Sequence, residues 1–149
     1  MAETVLKAEH ISKSFISGNK RFTAVDDVSF NLKQGECLGI VGESGSGKST
    51  IAKMITRLED VSRGQIFLGD QEITKAKGKA LRSIYQDIQM VFQNPAESFD
   101  PRHTLGDGIG ESLRNMGMNR RETNERVELL LEKCGLDKEF AQRYPHQVS

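Results

Sequence analysis

The chain has 149 residues, 36% of them hydrophobic and 28% charged, and its 21 basic and 21 acidic residues give a formal net charge of zero. This length fits one domain with a sizeable core, and the composition is typical of a soluble globular protein rather than a disordered one. The balanced charge offers no electrostatic reason to expect nucleic acid or an anionic membrane as a direct ligand.

The sequence also lacks the marks of secretion and of membrane insertion. Its first ten residues, "MAETVLKAEH", are too polar for a signal peptide, and no apolar run approaches the ~20 residues of a membrane-spanning helix. Cys37 and Cys134 lie far apart and in no spacing typical of a metal site. We therefore expect two reduced thiols in a cytosolic protein.

Strands dominate the first part of the predicted structure. Residues 4–11 and 24–32 alternate partly between apolar and polar side chains, as half-buried strands do, with a turn at "SGNKR" between them. The segment Cys37–Val41 is short, continuously apolar and bounded by glycines, which is typical of a strand buried in a parallel sheet. A hairpin is predicted around Gly69, and residues 87–93, "DIQMVFQ", form another apolar strand.

Helices are predicted after the glycine-rich segment that follows Val41 and through the last third of the chain. Apolar residues recur at helical spacing in "TIAKMITRLED", and "KAKGKALRSIYQ" is a short helix with a solvated lysine face. "TLGDGIGESLRNM" is a helix weakened by glycine, and the strong helix after it has Asn119 as N-cap, with Glu122 completing a variant capping box. The inner stripe of that helix consists of Val127, Leu130, Leu131 and Cys134. Gly135 suits the position just after its last turn.

The strongest functional signal is the segment Gly42–Ser49, "GESGSGKS". It fits the phosphate-binding pattern G-x-x-x-x-G-K-[ST] and lies between an apolar strand and an amphipathic helix. Glycines let the backbone turn and approach an anion closely, and the amides of the loop then point at the β-phosphate near the positive end of the helix. The residues predicted to form this cradle are Gly42, Glu43, Ser44, Gly45, Ser46, Gly47, Lys48, Ser49 and Thr50.

Two side chains of this segment have distinct predicted roles. Lys48 supplies a positive charge to the β- and γ-phosphates, and Ser49 offers its hydroxyl to Mg²⁺. The alternative is a glycine-rich strand-to-helix turn, in which an exposed lysine and a serine have no role. The pattern therefore predicts binding of a nucleoside triphosphate, and the lack of an N-K-x-D segment argues against a small GTPase.

Several segments together resemble the ATP-binding subunits of ABC transporters. "ISKSF" resembles the aromatic segment of that family, which implies that Phe15 stacks on the adenine of ATP, with Val25 flanking the same ring. "MVFQNP" resembles the Q-loop, which implies that the amide of Gln93 reaches Mg²⁺ and the attacking water. The alternatives are a core phenylalanine at the end of a strand and a surface glutamine in a turn.

The resemblance implies an α/β fold, namely the P-loop NTPase fold of ABC type. Such a fold has an antiparallel β subdomain, a parallel core sheet, incomplete in this chain, and a helical subdomain. Residues 1–93 are expected to form the β subdomain and the phosphate-loop core of the nucleotide-binding domain. Residues 94–149 are expected to hold the exit of the Q-loop and the helical subdomain, truncated before the Walker B strand.

The segment "NPAESFDPRHTLGDGIGESL" is similar, more narrowly, to importers of peptides, dipeptides and nickel, and closest to the second of their two ATPase subunits. This implies transmembrane permease subunits as partners, contacted through the loop Asn94–His103 and the helical subdomain, and a second ATPase subunit. It also implies a peripheral place on the inner face of the cell membrane. The alternative is an ordered surface loop held by Pro95 and Pro101.

The last six residues, "YPHQVS", resemble the start of the signature motif of the family, with Ser149 as its first letter. The rest of that motif, the Walker B strand and the switch histidine have no counterpart in the sequence. We therefore expect a fragment that binds nucleotide without efficient hydrolysis. We also expect it to self-associate through an open sheet edge.

Three functions remain open on the sequence alone. The first is a subunit that couples MgATP binding and hydrolysis to the import of peptides or a related small solute. The second is a nucleotide-binding interaction module that never hydrolyses. The third is a soluble ABC-type ATPase not linked to transport, against which the loop "DPRHT" argues. His10, His103 and His146 are isolated and are expected to be structural or solvated.

Overall fold

The computed structural model describes residues 3–94 and 98–148. They form two compact units, a first that ends at Met90 and a second that begins at Val91. The predicted boundary at residue 93, with the functional names given to its two sides, stays a prediction. Ser149, the predicted first letter of a signature motif, lies outside the described residues.

The first unit is built on one antiparallel sheet. Its strands are β1 (Thr4–Ser17), β2 (Lys20–Lys33), β3 (Arg63–Leu68) and β4 (Gln71–Glu72). They lie in the order β2-β1-β3-β4, so β1 is hydrogen-bonded to β2 on one side and to β3 on the other. The first two predicted strands and the hairpin around Gly69 are confirmed, and both β1 and β2 extend further than the alternation indicates.

The long hairpin of β1 and β2 carries an irregularity near its middle. His10 and Asp27, on opposite strands, both adopt the left-handed conformation, with φ of 50° and 49°. Their side chains meet, because the imidazole Nδ1 of His10 lies 2.7 Å from the carboxylate of Asp27. Both side chains are exposed, so His10 has the structural, solvated place that its isolation in the sequence predicts.

A second irregularity lies closer to the tip of the hairpin. Lys13 pairs with Val25, whereas the next residue, Ser14, pairs with Thr23, so Ala24 is an extra residue on β2. Such a bulge breaks the ladder locally and redirects the backbone groups of the extra residue. The backbone of Ala24 is therefore available to another segment of the first unit.

Two helices complete the first unit, α1 (Lys48–Ile55) and α2 (Gly78–Asp87). Both helices were predicted, α1 from the helical spacing of its apolar residues, and both are confirmed. Each contributes an apolar face to a core shared with the sheet. The largest fully buried apolar side chains of this core are Ile11, Met54, Ile66, Ile73 and Ile84. The sheet and α1 thus share one core, which fixes where the helix begins and ends relative to β1 and β2.

Two predicted strands, Cys37–Val41 and residues 87–93, are wrong. Neither segment is paired in the structure, and no parallel ladder occurs within residues 3–94 and 98–148. A strand requires a neighbour that accepts and donates backbone hydrogen bonds, and apolar composition alone supplies none. The side chains of Cys37–Val41 are exposed instead, Val41 at 93%. In the second segment Val91 is 92% exposed, whereas Ile88, Met90 and Phe92 are half-buried.

The second unit is helical. Its main helices are α3 (Leu105–Asn115) and α4 (Arg120–Lys133), followed by two 3₁₀ turns at Lys138–Gln142 and Pro145–Gln147. The predicted N-cap is confirmed, since the side chain of Asn119 accepts a hydrogen bond from the backbone N–H of Glu122 at 3.0 Å. Nowhere in the part of the chain that the structure describes is a helix both long and apolar enough to cross a membrane.

The core of the second unit lies between α4 and the first 3₁₀ turn. Val127 and Leu131 are buried, as predicted, and pack with Ala141. The predicted place of Cys134 in this stripe is wrong, because α4 ends at Lys133 and the cysteine caps it in an exposed position. Its thiol is free in the structure, as is that of Cys37.

Candidate nucleotide site

The segment Gly42–Thr50 leads from an irregular stretch after β2 into α1. Its backbone is contorted at three glycines, with φ of 157° at Gly42, 81° at Gly45 and 93° at Gly47. These values favour glycine, because a Cβ is strained in this region of φ. The glycine-rich loop that the sequence predicts before a helix is therefore present. The segment in front of it is not a strand, in contrast to the prediction.

Among the glycines of this loop, Gly47 is the one where a side chain is excluded most strictly. A Cβ on this residue would lie 2.4 Å from the carbonyl oxygen of Ala24 and 3.2 Å from Cγ2 of Val25. The bulge in β2 thus places its carbonyl directly against the start of α1. As a result the loop is seated on the hairpin, and only glycine fits at the contact.

Lys48 reaches back across its own loop. Its Nζ donates hydrogen bonds to the carbonyl oxygens of Gly42, at 2.8 Å, and Glu43, at 2.6 Å, and lies 3.3 Å from Oγ of Ser46. The ammonium therefore bridges the first two residues of the loop and the side chain of Ser46. An anion that approaches the loop meets this positive charge, held in place by three oxygen atoms.

Backbone amides form the rest of the cradle. The amide of Ser46 donates to the carbonyl of Glu43 at 3.2 Å, which closes a tight turn. Gly47 is the N-cap of α1, and within the described chain no side-chain hydrogen bond caps this helix. The N–H groups of a first helical turn lack intrahelical acceptors and carry a partial positive charge. Together with Lys48 they make this end of α1 suited to an anion.

Phe15 lies near the tip of the β1–β2 hairpin, opposite Phe22. It is 38% exposed, so it is not a core residue. Val25 is buried, and its side chain faces Gly47 rather than solvent. The stacking of Phe15 on adenine, and a flanking role for Val25, stay predictions.

Lys13 joins the hairpin to the segment that follows α1. Its Nζ lies 5.0 Å from the centre of the Phe15 ring, in the range of a cation–π contact. The same atom donates to the carbonyl of Asp60 at 2.7 Å and pairs with the carboxylate of Glu59 at 2.5 Å. Nothing in the sequence singles out this lysine except its position two residues before Phe15 on a strand, where the two side chains share a face.

The two predicted metal ligands belong to different units. Ser49 is exposed in the first turn of α1. Gln93 is exposed in a bend of the second unit, not at the end of a strand as predicted. No group of three or more histidine, cysteine or acidic residues able to hold a metal ion occurs in the described ranges. Ser49 and Gln93 therefore stay predicted ligands of Mg²⁺.

The predicted docking loop Asn94–His103 is described only in part, since residues 95–97 lie outside the described residues. Its second half contains an ion pair, in which the Arg102 guanidinium donates hydrogen bonds to both carboxylate oxygens of Asp100. These bonds hold the pKa of Asp100 well below its usual range and raise the pKa of Arg102. Positive charge on His103 acts on the pKa of Asp100 in the same direction, as the smallest of these influences.

Comparison with known protein families shows the family to which this chain belongs. Residues 25–149 match the family model described as ABC transporter. The di/tripeptide transport ATP-binding protein DppF of Pseudomonas aeruginosa (strain UCBPP-PA14) is 39% identical over 99% of this chain and 48% of its own length. The oligopeptide transport ATP-binding protein AppF of Bacillus subtilis (strain 168) is 45% identical over 99% of this chain and 47% of its own length. The chain thus spans about half the length of the curated relatives it matches.

Solved structures agree with this assignment. A structure described as the dimeric structure of MJ0796, a bacterial ABC transporter cassette, matches with a TM-score of 0.83 and 28% identity, over 97% of this chain and 63% of that one. A second structure, a dimeric post-hydrolysis state of the ATP-binding cassette MJ0796 bound to ADP and Pi, matches equally well. The fold class predicted from the sequence is confirmed by these similarities.

Proposed function

Because this chain belongs to the ABC transporter family, we propose that its segment Gly42–Thr50 binds the triphosphate of ATP together with Mg²⁺. We propose further that the longer protein couples ATP binding and hydrolysis to the import of peptides or a related small solute. The relatives named as di/tripeptide and oligopeptide transport ATP-binding proteins support this substrate class.

One observation above all supports nucleotide binding, namely the position of the Lys48 ammonium. Three oxygen atoms of its own loop hold it at the uncapped start of α1, next to amides that lack intrahelical acceptors. A triphosphate oxygen offers a stronger, charge-assisted acceptor than a neutral carbonyl. Phosphate can therefore replace one of the three partners of Lys48 without requiring the side chain to move far.

The remaining predicted residues have proposed roles in binding different parts of MgATP. Ser49 and Gln93 are the proposed ligands of Mg²⁺, which when bound neutralises charge on the β- and γ-phosphates. Phe15 is the proposed platform for adenine, and Val25 backs the loop by packing against Gly47. Each part of MgATP thus has a proposed partner in this chain.

Hydrolysis of ATP relies mostly on positioning and on stabilisation of charge. In this proposal Lys48 holds the γ-phosphate in line for attack, and the amide of Gln93 orients the attacking water. Both groups are neutral or fixed in charge, so neither has to lose a proton to perform its role. Lys48 and Gln93 are therefore the residues of this chain that we propose to act in catalysis.

The partners proposed for the longer protein follow from the same relatives. Transmembrane permease subunits are proposed to contact the loop Asn94–His103 and the helical unit, and a second ATPase subunit is proposed to pair with this one. The dimeric structural neighbours support such pairing. A peripheral position on the inner face of the cell membrane follows from these contacts.

The experiment that tests nucleotide binding compares Lys48→Ala with the unchanged chain by isothermal titration of ATP in the presence of Mg²⁺. We expect a loss of affinity on the order of tenfold to a hundredfold, from the loss of charge-assisted bonds. Lys53→Ala is a matched control, since Lys53 is an exposed lysine on the same helix. Equal affinity of the Lys48→Ala variant and the unchanged chain for ATP would refute the proposal.

A further inference from the structure

The ammonium of Lys13 has an unusual place for a lysine. Its side chain is only 11% exposed. Ile11, two residues earlier on β1, and Val25, its cross-strand partner on β2, are both core residues. A charge that is withdrawn from water must find partners in the protein, because otherwise its desolvation is unfavourable. Lys13 finds one such partner in each of two parts of the first unit.

The first partner is the end of the segment that follows α1. The Lys13 ammonium pairs with the carboxylate of Glu59 and donates a hydrogen bond to the carbonyl of Asp60. Neither contact needs the ring of Phe15. These two contacts fix the position of Nζ independently of the hairpin tip.

The second partner is Phe15 itself, whose ring centre lies 5.0 Å from the ammonium. A cation at this distance over an aromatic face is attracted by the negative face of the ring. The same cation occupies that face, so a flat ligand can stack only on the other one. Phe15 is 38% exposed, which leaves ring surface open to such a ligand.

We propose that Lys13 is a positioning residue for nucleotide, one that fixes the Phe15 ring by one face so that its other face is presented to the adenine base. This inference rests on the proposed function, because it assumes that Phe15 stacks on the base. Glu59 has a supporting part, since its carboxylate holds the ammonium of Lys13 in place. The role is indirect, as Lys13 acts through Phe15 and not on the ligand.

The register of the hairpin links this arrangement to the phosphate loop. Lys13 is the cross-strand partner of Val25, and Val25 packs against Gly47 at the start of α1. Through Glu59 the same lysine is tied to the segment that follows the end of α1. The ring of Phe15 is therefore held relative to the helix that begins at Lys48, which is what a ligand with a base and a triphosphate requires.

A second lysine on β1 provides an internal comparison. The Lys7 ammonium lies 5.8 Å from the centre of the Phe67 ring and pairs with the carboxylate of Glu9 at 2.5 Å. It reproduces the cation, carboxylate and ring of the Lys13 arrangement elsewhere on the sheet. Lys7→Met is therefore a matched control for Lys13→Met.

The test measures the affinity for ATP and for inorganic triphosphate, both with Mg²⁺, by isothermal titration. Triphosphate lacks the adenosine, so the ratio of the affinity for ATP to the affinity for triphosphate reports what adenine and ribose together contribute. We expect Lys13→Met to lower this ratio about two- to fivefold, the factor that corresponds to a partly exposed cation–π contact. The affinity for triphosphate stays the same. Lys7→Met leaves both affinities unchanged.

Two further variants separate the possible outcomes. Phe15→Leu lowers the same ratio, and adding Lys13→Met to it gives no further loss, because both substitutions remove one interaction. Glu59→Gln keeps the cation but weakens its tether, so it lowers the ratio by a smaller factor, and it decides the matter if Lys13→Met does not fold.

The inference is overturned if Phe15→Leu lowers the ratio while Lys13→Met and Glu59→Gln leave it unchanged. It is also overturned if Lys13→Met weakens ATP and triphosphate by the same factor, since that result indicates a purely structural role. If Phe15→Leu itself leaves the ratio unchanged, the adenine platform of the proposed function fails, and the role of Lys13 fails with it. A failure of phosphate binding is seen separately, in the Lys48→Ala variant.

Discussion

The carbonyl oxygen of Ala24 lies directly against Gly47, so close that a Cβ on the glycine would come within 2.4 Å of it. Ala24 is the extra residue of a bulge in β2, and Gly47 is the N-cap of α1. One irregular strand and one glycine thus determine where the helix starts. The position of Lys48 and of the amides around it depends on this contact.

Replacement of Gly47 by alanine is expected to destabilise the first unit and to weaken nucleotide binding. The left-handed conformation at φ 93° is unfavourable for alanine by about 1–2 kcal/mol. In addition the new methyl group collides with the carbonyl of Ala24, so the start of α1 has to move away from β2. Urea unfolding followed by circular dichroism measures the first effect, and titration with ATP measures the second.

Gly39→Ala serves as the control for this substitution. A Cβ on Gly39 has no atom of the described residues within 4 Å, and its backbone is not left-handed. The substitution Gly39→Ala is expected to change the free energy of unfolding by less than about 0.5 kcal/mol. If Gly47→Ala were as stable as Gly39→Ala and bound ATP equally well, the contact with Ala24 would have no part in placing the helix.

Loss of the cap on α4 is expected to destabilise the second unit. The side chain of Asn119 accepts the amide of Glu122, a bond that Asn119→Ala removes. The expected decrease in the free energy of unfolding is about 1 kcal/mol. Asn124→Ala, at an exposed position inside the same helix, is the matched control and should be neutral or slightly stabilising, because alanine favours helix. Equal destabilisation by both variants in urea would contradict the capping role.

The ion pair of Asp100 and Arg102 gives the second unit a pH dependence at acid pH. Hydrogen bonds from Arg102 lower the pKa of Asp100 in the folded chain below its usual 3.8. A lowered pKa means that the ionised carboxylate favours the folded state above the usual value, and that this contribution is lost as the pH falls from there towards the lowered pKa. Both residues are exposed, so the effect on stability is small and decreases with added salt.

The titration of the Asp100 carboxyl carbon, followed by NMR, checks this directly. In Arg102→Ala the midpoint should move up towards the usual value. In Arg121→Ala, which breaks a different exposed ion pair, with Glu125, it should stay where it is. A midpoint that is the same in all three proteins would show that Arg102 does not hold the charge of Asp100.

The exposed apolar segment before the phosphate loop is expected to drive self-association. Its side chains lie outside any ladder of the described residues, and Ile40 is 40% exposed beside the almost fully exposed Val41. Unpaired backbone next to apolar side chains favours pairing with another copy. Ile40→Lys should therefore shift sedimentation velocity profiles at high concentration towards the monomer.

Leu129→Lys is the control, because Leu129 is also 40% exposed but lies on a helix whose backbone is already hydrogen-bonded. It should leave the profile unchanged. A single sharp monomer boundary for the unchanged chain at high concentration would end the case for association through this segment.

Local patterns predicted the elements whose causes are local. The glycines, Lys48 and the apolar spacing after them indicated both the loop and the start of α1, and Asn119 indicated the start of α4. In each case the residues that determine the backbone lie within a few positions of one another. Such features can be read from one short stretch of sequence.

Features that depend on distant neighbours could not be predicted in the same way. The run Cys37–Val41 has the composition of a buried strand, but whether it forms one depends on a partner strand. The bulge at Ala24 and the contact of Lys13 with Glu59 join segments that are more than twenty residues apart. Only the folded chain brings these groups together.

The three oxygen atoms that fix the Lys48 ammonium also affect the entropy lost when phosphate binds. A lysine that moved freely would have to give up its rotational freedom when phosphate arrives, at a loss of roughly 0.5–1.5 kcal/mol for such a side chain. Here that ordering is already achieved by the protein, which lends the loop the character of a preorganised receptor. Affinity then depends on how readily the bonds to Gly42, Glu43 and Ser46 are exchanged, and not on a search by the side chain for its target.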